Sequence, residues 1–121
     1  MLKKKTLVLG ASENPYRYSN RAITSLLKHG HPVIAIGKKE GDVEGCTIIN
    51  TKPTIADLDT VTLYLNPTIQ KGYYDYITTL KPKRIIFNPG TENTELKELA
   101  AQNGIETIEA CTLVMLSTKL Y

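Results

Sequence analysis

Gly10-Ala11-Ser12 follows a short apolar run, Thr6–Leu9, and leads through Pro15, Arg17 and Ser19 into an amphipathic segment. A glycine directly after a strand lets the backbone approach an anion closely. Ser12 adds a hydroxyl, Arg17 a guanidinium, and Ser19 a cap for the next helix. The start of such a helix presents free N–H groups and a positive dipole end to phosphate. Ser12 stands where a dinucleotide fingerprint carries its second glycine, and no third glycine comes before Gly30. The stretch from Ala11 to Tyr18 is longer than a glycine-rich turn, so it can wrap around a pyrophosphate. Gly10→Val is expected to remove binding and spare the fold.

A second loop, Gly37-Lys38-Lys39, follows the apolar run Val33–Ile36. An NAD site needs an acidic side chain there to accept from the ribose hydroxyls. Two ammonium groups favour an extra phosphate on the ribose instead. NADP carries one at the 2′ position and coenzyme A one at the 3′ position. A pair of solvated surface lysines fits the same spacing. Three more apolar runs end in Asn66-Pro67-Thr68, Asn88-Pro89-Gly90-Thr91 and Glu109-Ala110-Cys111. Any one of these is ordinary turn chemistry. Five such loops on one rim point to a ligand cleft.

The elements that must position these loops alternate. Thr6–Leu9, Val33–Ile36, Val61–Leu65, Ile85–Phe87 and Ile105–Ile108 read as strands. Ala22, Ile23, Leu26 and Leu27 form one helical stripe that Gly30 ends. Ile69, Tyr73, Ile77 and Leu80 keep helical spacing, with Thr68 as N-cap. Leu96, Leu99 and Ala100 lie on a helix opened by Asn93 and closed by Gly104, and Leu113–Leu116 on a last short one. Continuously apolar strands between amphipathic helices imply a parallel sheet covered on both faces. The expected class is a doubly wound α/β fold, Rossmann-like, with five parallel strands in the order 3-2-1-4-5. Ligands bind such a sheet beyond the carboxyl ends of its strands. Residues 37 to 59 carry no long helical stripe. They read as mostly loop, with one turn over Pro53–Leu58 and Thr47–Ile49 as an extra short strand.

The totals narrow the classes. A chain of 121 residues reads as one domain, 1–121, able to bury a core without metal or disulfide support. A net charge of +3 is too small and too scattered to indicate nucleic acid. Cys46 and Cys111 stand without a Cys-x-x-Cys, and two histidines are poor material for zinc. The apolar run after Lys5 is too short for a signal peptide, and no stretch approaches a spanning helix. These features give a cytoplasmic protein with no membrane partner and reduced thiols.

With these residues in view, the chain resembles the small bacterial CoA-binding proteins. Those are free-standing relatives of the CoA-binding Rossmann domain of succinyl-CoA ligases and acyl-CoA synthetases. The stretch "GASENPYRYSNRA" matches a family pattern of roughly G-A-S-x-x-P-x-R-x-S. The stretches "LLKHGHPVIAIGKK", "IADLDTVTLYL" and "NPGTENTELKELAAQNGIETIEAC" follow in the expected order. The resemblance implies binding of coenzyme A or an acyl-CoA. It maps Gly10, Ala11, Ser12, Pro15, Arg17 and Ser19 onto the phosphate-side loop. It sets Lys38 and Lys39, after Gly37, near the adenosine phosphates, and Asn88, Pro89 and Gly90 along the fourth loop. Two departures bear on ligand identity: Gly37-Lys38 replaces the family's frequent Asn-Pro, and "FNPG" replaces an aromatic-glutamine-x-glycine pattern.

No Ser-His-Asp set, metal cluster or Walker A motif is visible. His29 and His31 fall at the edge opposite the cleft. Cys111, at the start of the last helix, is the one candidate reactive group. Three readings stand: a CoA or acyl-CoA binding module without chemistry of its own, an NADP-linked oxidoreductase, and a regulatory or partner-docking protein that uses no ligand.

Overall fold

A computed structural model describes residues 2–121. Among these residues seven strands form one sheet: β1 Thr6–Leu9, β2 Val33–Ile36, β3 Gly41–Val43, β4 Cys46–Ile49, β5 Thr60–Leu63, β6 Arg84–Phe87 and β7 Glu106–Glu109. The helices are α1 Tyr18–Lys28, α2 Pro67–Gln70, α3 Tyr74–Leu80, α4 Thr94–Gln102 and α5 Thr112–Ser117, with a 3₁₀ turn at Lys71–Tyr73 between α2 and α3. The sheet order is β3-β4-β2-β1-β5-β6-β7. Among the described residues, the β3–β4 pair is antiparallel and the other pairs are parallel. The doubly wound, Rossmann-like class holds. Among the described residues, no helix is long and apolar enough to cross a membrane.

The expected order 3-2-1-4-5 needs correction. The third expected strand, now β5, lies beside β1 on the side away from β2. The place beyond β2 belongs to β4, the segment read as an extra strand. Counting β4 as the third strand restores the 3-2-1 half of the order. The physical reason lies in residues 37–45. With no helix to carry it over the sheet, the chain leaves β2, skips one strand spacing and descends as β3. It then turns at Glu44 and Gly45, whose φ angles are +50° and +84°. Two consecutive positive φ values make the tight turn that suits a twisted hairpin. β4 rises into the gap and pairs with β2 through Ala35 and Ile36.

Alternation along the strands divides the core. Leu7 and Leu9 of β1 join Val61, Leu63, Ile85 and Phe87 on one face, under Ile77, Leu96 and Leu58. Val8, Ala35, Ile48 and Ile86 face the other way, under Ile23 and Leu26 of α1 and Met115 and Leu116 of α5. Side chains on a strand alternate between faces, so four-residue strands serve both layers. Helices on both sides leave the strand ends as the free rim.

The segment read as one helix from Ile69 to Leu80 is broken. Asn66, not Thr68, caps α2, its side-chain oxygen accepting from the Ile69 N–H at 3.0 Å. The 3₁₀ turn winds with three residues per turn and shifts the phase of the stripe. Ile77 is fully buried, while Ile69 remains 50% exposed. Asn93 does cap α4, accepting from the Leu96 N–H.

Candidate functional site

Parallel pairing of β1, β2, β5, β6 and β7 puts all five carboxyl ends on one edge. The loops after β1, β2 and β5 enclose a cleft of about 920 Å³. That is the size range of cofactor sites. Of the residues named from sequence, Gly10, Ala11, Ser12, Arg17, Gly37, Lys38, Lys39 and Asn66 line it. Asn88 and Pro89 line a neighbouring pocket of about 210 Å³ with Tyr18, Cys111 and Leu113. Tyr64 borders both. Pro15, Ser19 and Gly90 line neither.

The two glycines shape the cleft by letting protein approach protein. Gly10 has φ +93°, and a Cβ there would stand 2.9 Å from the Tyr64 carbonyl oxygen. A Cβ on Gly37 would lie 2.3 Å from the Ala11 carbonyl oxygen. The N–H groups of Gly10 and Ala11 both donate to the Ile36 carbonyl, at 3.0 Å each. Gly10 is therefore required by the contact between strand ends, and Gly10→Val would disturb the fold rather than spare it.

Beyond Ala11 the loop is held by its own short polar side chains. Ser12 Oγ accepts from the Asn14 N–H at 3.1 Å, which leaves the hydroxyl hydrogen free to donate. Asn14 Oδ1 accepts from the Tyr16 N–H, and Asn20 Nδ2 donates to the Ser12 carbonyl. Such local turns replace a glycine-rich bend. Because the Asn14 carbonyl already accepts from the Arg17 N–H, the chain reverses before Ser19 and α1 begins at Tyr18. Ser19 is thus not the cap. It lies in the first turn of α1, only 3% exposed, and the N-cap position is Arg17, whose side chain makes no capping hydrogen bond. The Asn20 N–H donates to the Arg17 carbonyl, and the N–H groups of Tyr18 and Ser19 are the first-turn donors left without a cap.

Arg17, Lys38 and Lys39 are exposed around the cleft. The sole ion pair among the described residues, Lys83–Asp59 at 4.0 Å, lies at the amino ends of the strands. Among the described residues, none of the three cleft cations forms an ion pair within 4.0 Å, although Glu13 lines the same cleft. The opposite wall is apolar: Leu65, Ile69 and Tyr73 line it. Tyr73 is braced by Lys52, whose ammonium stands 4.7 Å from the ring centroid and donates to the Gly72 carbonyl at 2.7 Å. Sequence reasoning missed Glu13, Asn14, Tyr64, Leu65, Ile69 and Tyr73. Glu13 and Asn14 were inside the loop already singled out. Ile69 and Tyr73 were hidden by a stripe that looked like core.

Asn88 is 3% exposed and committed to the protein. Its amide donates to Thr62 Oγ1 at 2.7 Å and the Leu63 carbonyl at 2.9 Å, and its oxygen accepts from the Thr112 N–H at 2.9 Å. It joins β5, β6 and the start of α5. The buried Gln70 does the same for the neighbouring loops, donating to the Leu65 and Thr91 carbonyls at 2.8 Å each. Burial pushes the Tyr64 phenol pKa up, and the nearby Thr62 and Thr112 hydroxyls only partly offset it. Those hydroxyls bond each other at 2.9 Å, and Tyr64 Oη has no partner of good geometry. Cys111 stands at the N-cap of α5 beside the smaller pocket, as a free thiol. Among the described residues, no group of acidic, histidine or cysteine side chains could hold a metal ion. His31 is buried at the amino end of β2, away from the cleft.

The fold is Rossmann-like, and its cleft lies beyond the carboxyl ends of the parallel strands. The chain belongs to the CoA binding domain family, whose model matches residues 4–117. It is similar over its full length, and that of its match, to a crystal structure of an uncharacterized protein, with 54% identity and a TM-score of 0.97. A hypothetical protein from Pyrococcus horikoshii OT3 is 26% identical, with a TM-score of 0.86, over 98% of this chain and 84% of that one. A dinucleotide-forming acetyl-coenzyme A synthetase 1 from Ca. Korarchaeum cryptofilum shares the fold at 18% identity and a TM-score of 0.70. That match covers 89% of this chain and 26% of the synthetase. A search of curated proteins finds no match.

Proposed function

We propose that this chain binds coenzyme A or an acyl-CoA in the cleft beyond β1, β2 and β5, as a binding module without chemistry of its own. The observation that carries this reading is the pair Lys38 and Lys39 at the end of β2, in one cleft with the Ser12 loop and Arg17. The loop and the uncapped start of α1 suit the pyrophosphate, and the lysines the ribose 3′-phosphate. Leu65, Ile69 and Tyr73 offer the adenine an apolar wall. The smaller pocket beyond Tyr64, lined by Leu113 and Cys111, suits the thiol end or a short acyl group. Asn88 and Pro89 contribute by shaping that pocket. In this reading Pro15, Ser19 and Gly90 support the loops and α1 without touching the ligand.

The lysines also admit the 2′-phosphate of NADP. Calorimetry with CoA, dephospho-CoA and NADP separates the readings. CoA is expected to bind most tightly. Lys38→Ala and Lys39→Ala should each weaken CoA by about 1 kcal/mol, roughly five-fold, as befits exposed charges. Dephospho-CoA should be nearly unaffected. Equal losses for both ligands would assign the lysines to the pyrophosphate, and tighter binding of NADP would favour the oxidoreductase reading.

A further inference from the structure

At the end of β2, where an acidic residue would accept from ribose hydroxyls, the sequence has Gly37-Lys38-Lys39. The tertiary structure supplies the acid from elsewhere. Glu13, in the loop after β1, lines the same cleft as Lys38 and Lys39. Its Oε2 accepts from the Asp42 N–H at 3.0 Å, across 29 residues of sequence. Its carboxylate lies directly on Gly41, where a Cβ would come within 2.6 Å of Oε1. A side chain at position 41 would displace it. Glu13 makes no ion pair among the described residues, and Oε1 makes no hydrogen bond there.

The cleft therefore carries two ammonium groups from the loop after β2 and a carboxylate from the loop after β1. We infer that Glu13 is a specificity-determining residue that accepts from a free ribose 2′-hydroxyl while the lysines hold a 3′-phosphate. This inference rests on the CoA reading above. A carboxylate accepts hydrogen bonds from a hydroxyl and repels a phosphate dianion. The ribose of CoA bears a 2′-hydroxyl beside its 3′-phosphate. The ribose of NADP bears the phosphate at the 2′ position, against the carboxylate. The lysines attract both nucleotides, and Glu13 rejects one. Discrimination by a repulsive group is an efficient way to separate a 2′-phosphate from a 3′-phosphate on the same ribose.

The test uses adenosine 3′,5′-bisphosphate and adenosine 2′,5′-bisphosphate, titrated by calorimetry into the protein and into Glu13→Gln. Glutamine keeps a carbonyl oxygen for the Asp42 N–H and removes the charge, and thermal unfolding checks that the variant is folded. The unaltered protein is expected to prefer the 3′ isomer by about ten-fold. In Glu13→Gln the 2′ isomer should gain affinity and the ratio should fall to roughly three-fold or less. An unchanged ratio, or equal weakening of both isomers, overturns the role of Glu13 and leaves the CoA reading standing. Failure of the unaltered protein to bind either isomer overturns the CoA reading, and this inference with it.

Discussion

Gly10 shows how one residue type can serve two purposes that sequence does not separate. A glycine after a strand is what a close anion would need. Here it is what the neighbouring strand end needs, since the Tyr64 carbonyl occupies the space a Cβ would take. Its positive φ adds a second reason. Gly10→Ala should therefore destabilise the fold by about 1–3 kcal/mol, from backbone strain and crowding together. Urea unfolding would measure it, and a loss below a few tenths of a kcal/mol would return Gly10 to the ligand alone. Lys38 and Lys39 carry no such structural duty, so they are the cleaner probes of binding.

Among the elements, the link between β5, β6 and α5 depends on Asn88. Three partners share its amide, and one of them is the Thr112 N–H in the first turn of α5. A short helix with an apolar cap residue such as Cys111 has no other source for that bond. Asn88→Ala should cost about 2–3 kcal/mol, because it takes the amide away from one buried donor, the Thr112 N–H, and from two buried acceptors, Thr62 Oγ1 and the Leu63 carbonyl. Hydrogen exchange should show the loss first at Thr112 and along α5. Unchanged protection there would mean that water takes over the role of the amide. The pocket beside Cys111 should widen in the same variant, since Asn88 forms part of its wall.

For the whole molecule, the edge opposite the cleft ties Lys4, Thr6 and Tyr121 together beside the sheet. Tyr121 is buried there, its ring 4.9 Å from that of His31 and 4.4 Å from the Arg84 guanidinium carbon, with its hydroxyl bonded to Thr6. His31 Nδ1 accepts from the Lys4 N–H at 3.0 Å, which requires the neutral ring. Burial lowers the His31 pKa, and His29, Lys4 and Arg84 add to this while Asp59 opposes it. A histidine whose folded pKa is lowered gives stability that is complete above its unfolded value. That stability is lost as pH falls through about 6.5, because the unfolded chain takes up the proton first. Unfolding free energies from pH 8 to 5 should fall more steeply for the native protein than for His31→Gln. Identical slopes would show that His31 accepts a proton in place and keeps its packing.

Much of this molecule was legible in sequence because it rests on local rules. Apolar runs of four residues bounded by turns gave the strands that form the centre of the sheet. Gly30, Asn93 and Gly104 marked helix ends through backbone conformation and capping alone. The loops that form the rim follow from parallel pairing, so the sequence alone groups Gly10–Ser12 with Lys38. What the tertiary structure decided depends on distant residues meeting. The hairpin of β3 and β4 occupies the edge because residues 37–45 turn back rather than cross over, and its turn at Glu44-Gly45 gave only a weak signal. Ile69 faces the cleft, and Tyr73 lines it while packing against the core, because a 3₁₀ turn broke the helical periodicity. Asn88 passed from candidate ligand contact to internal tie because Thr62 and Thr112 lie within its reach. Glu13 meets Asp42 only after the first loop has folded against the hairpin. Periodicity and turn chemistry are properties of neighbours along the chain, whereas hydrogen-bond partners and shared cavity walls come from packing.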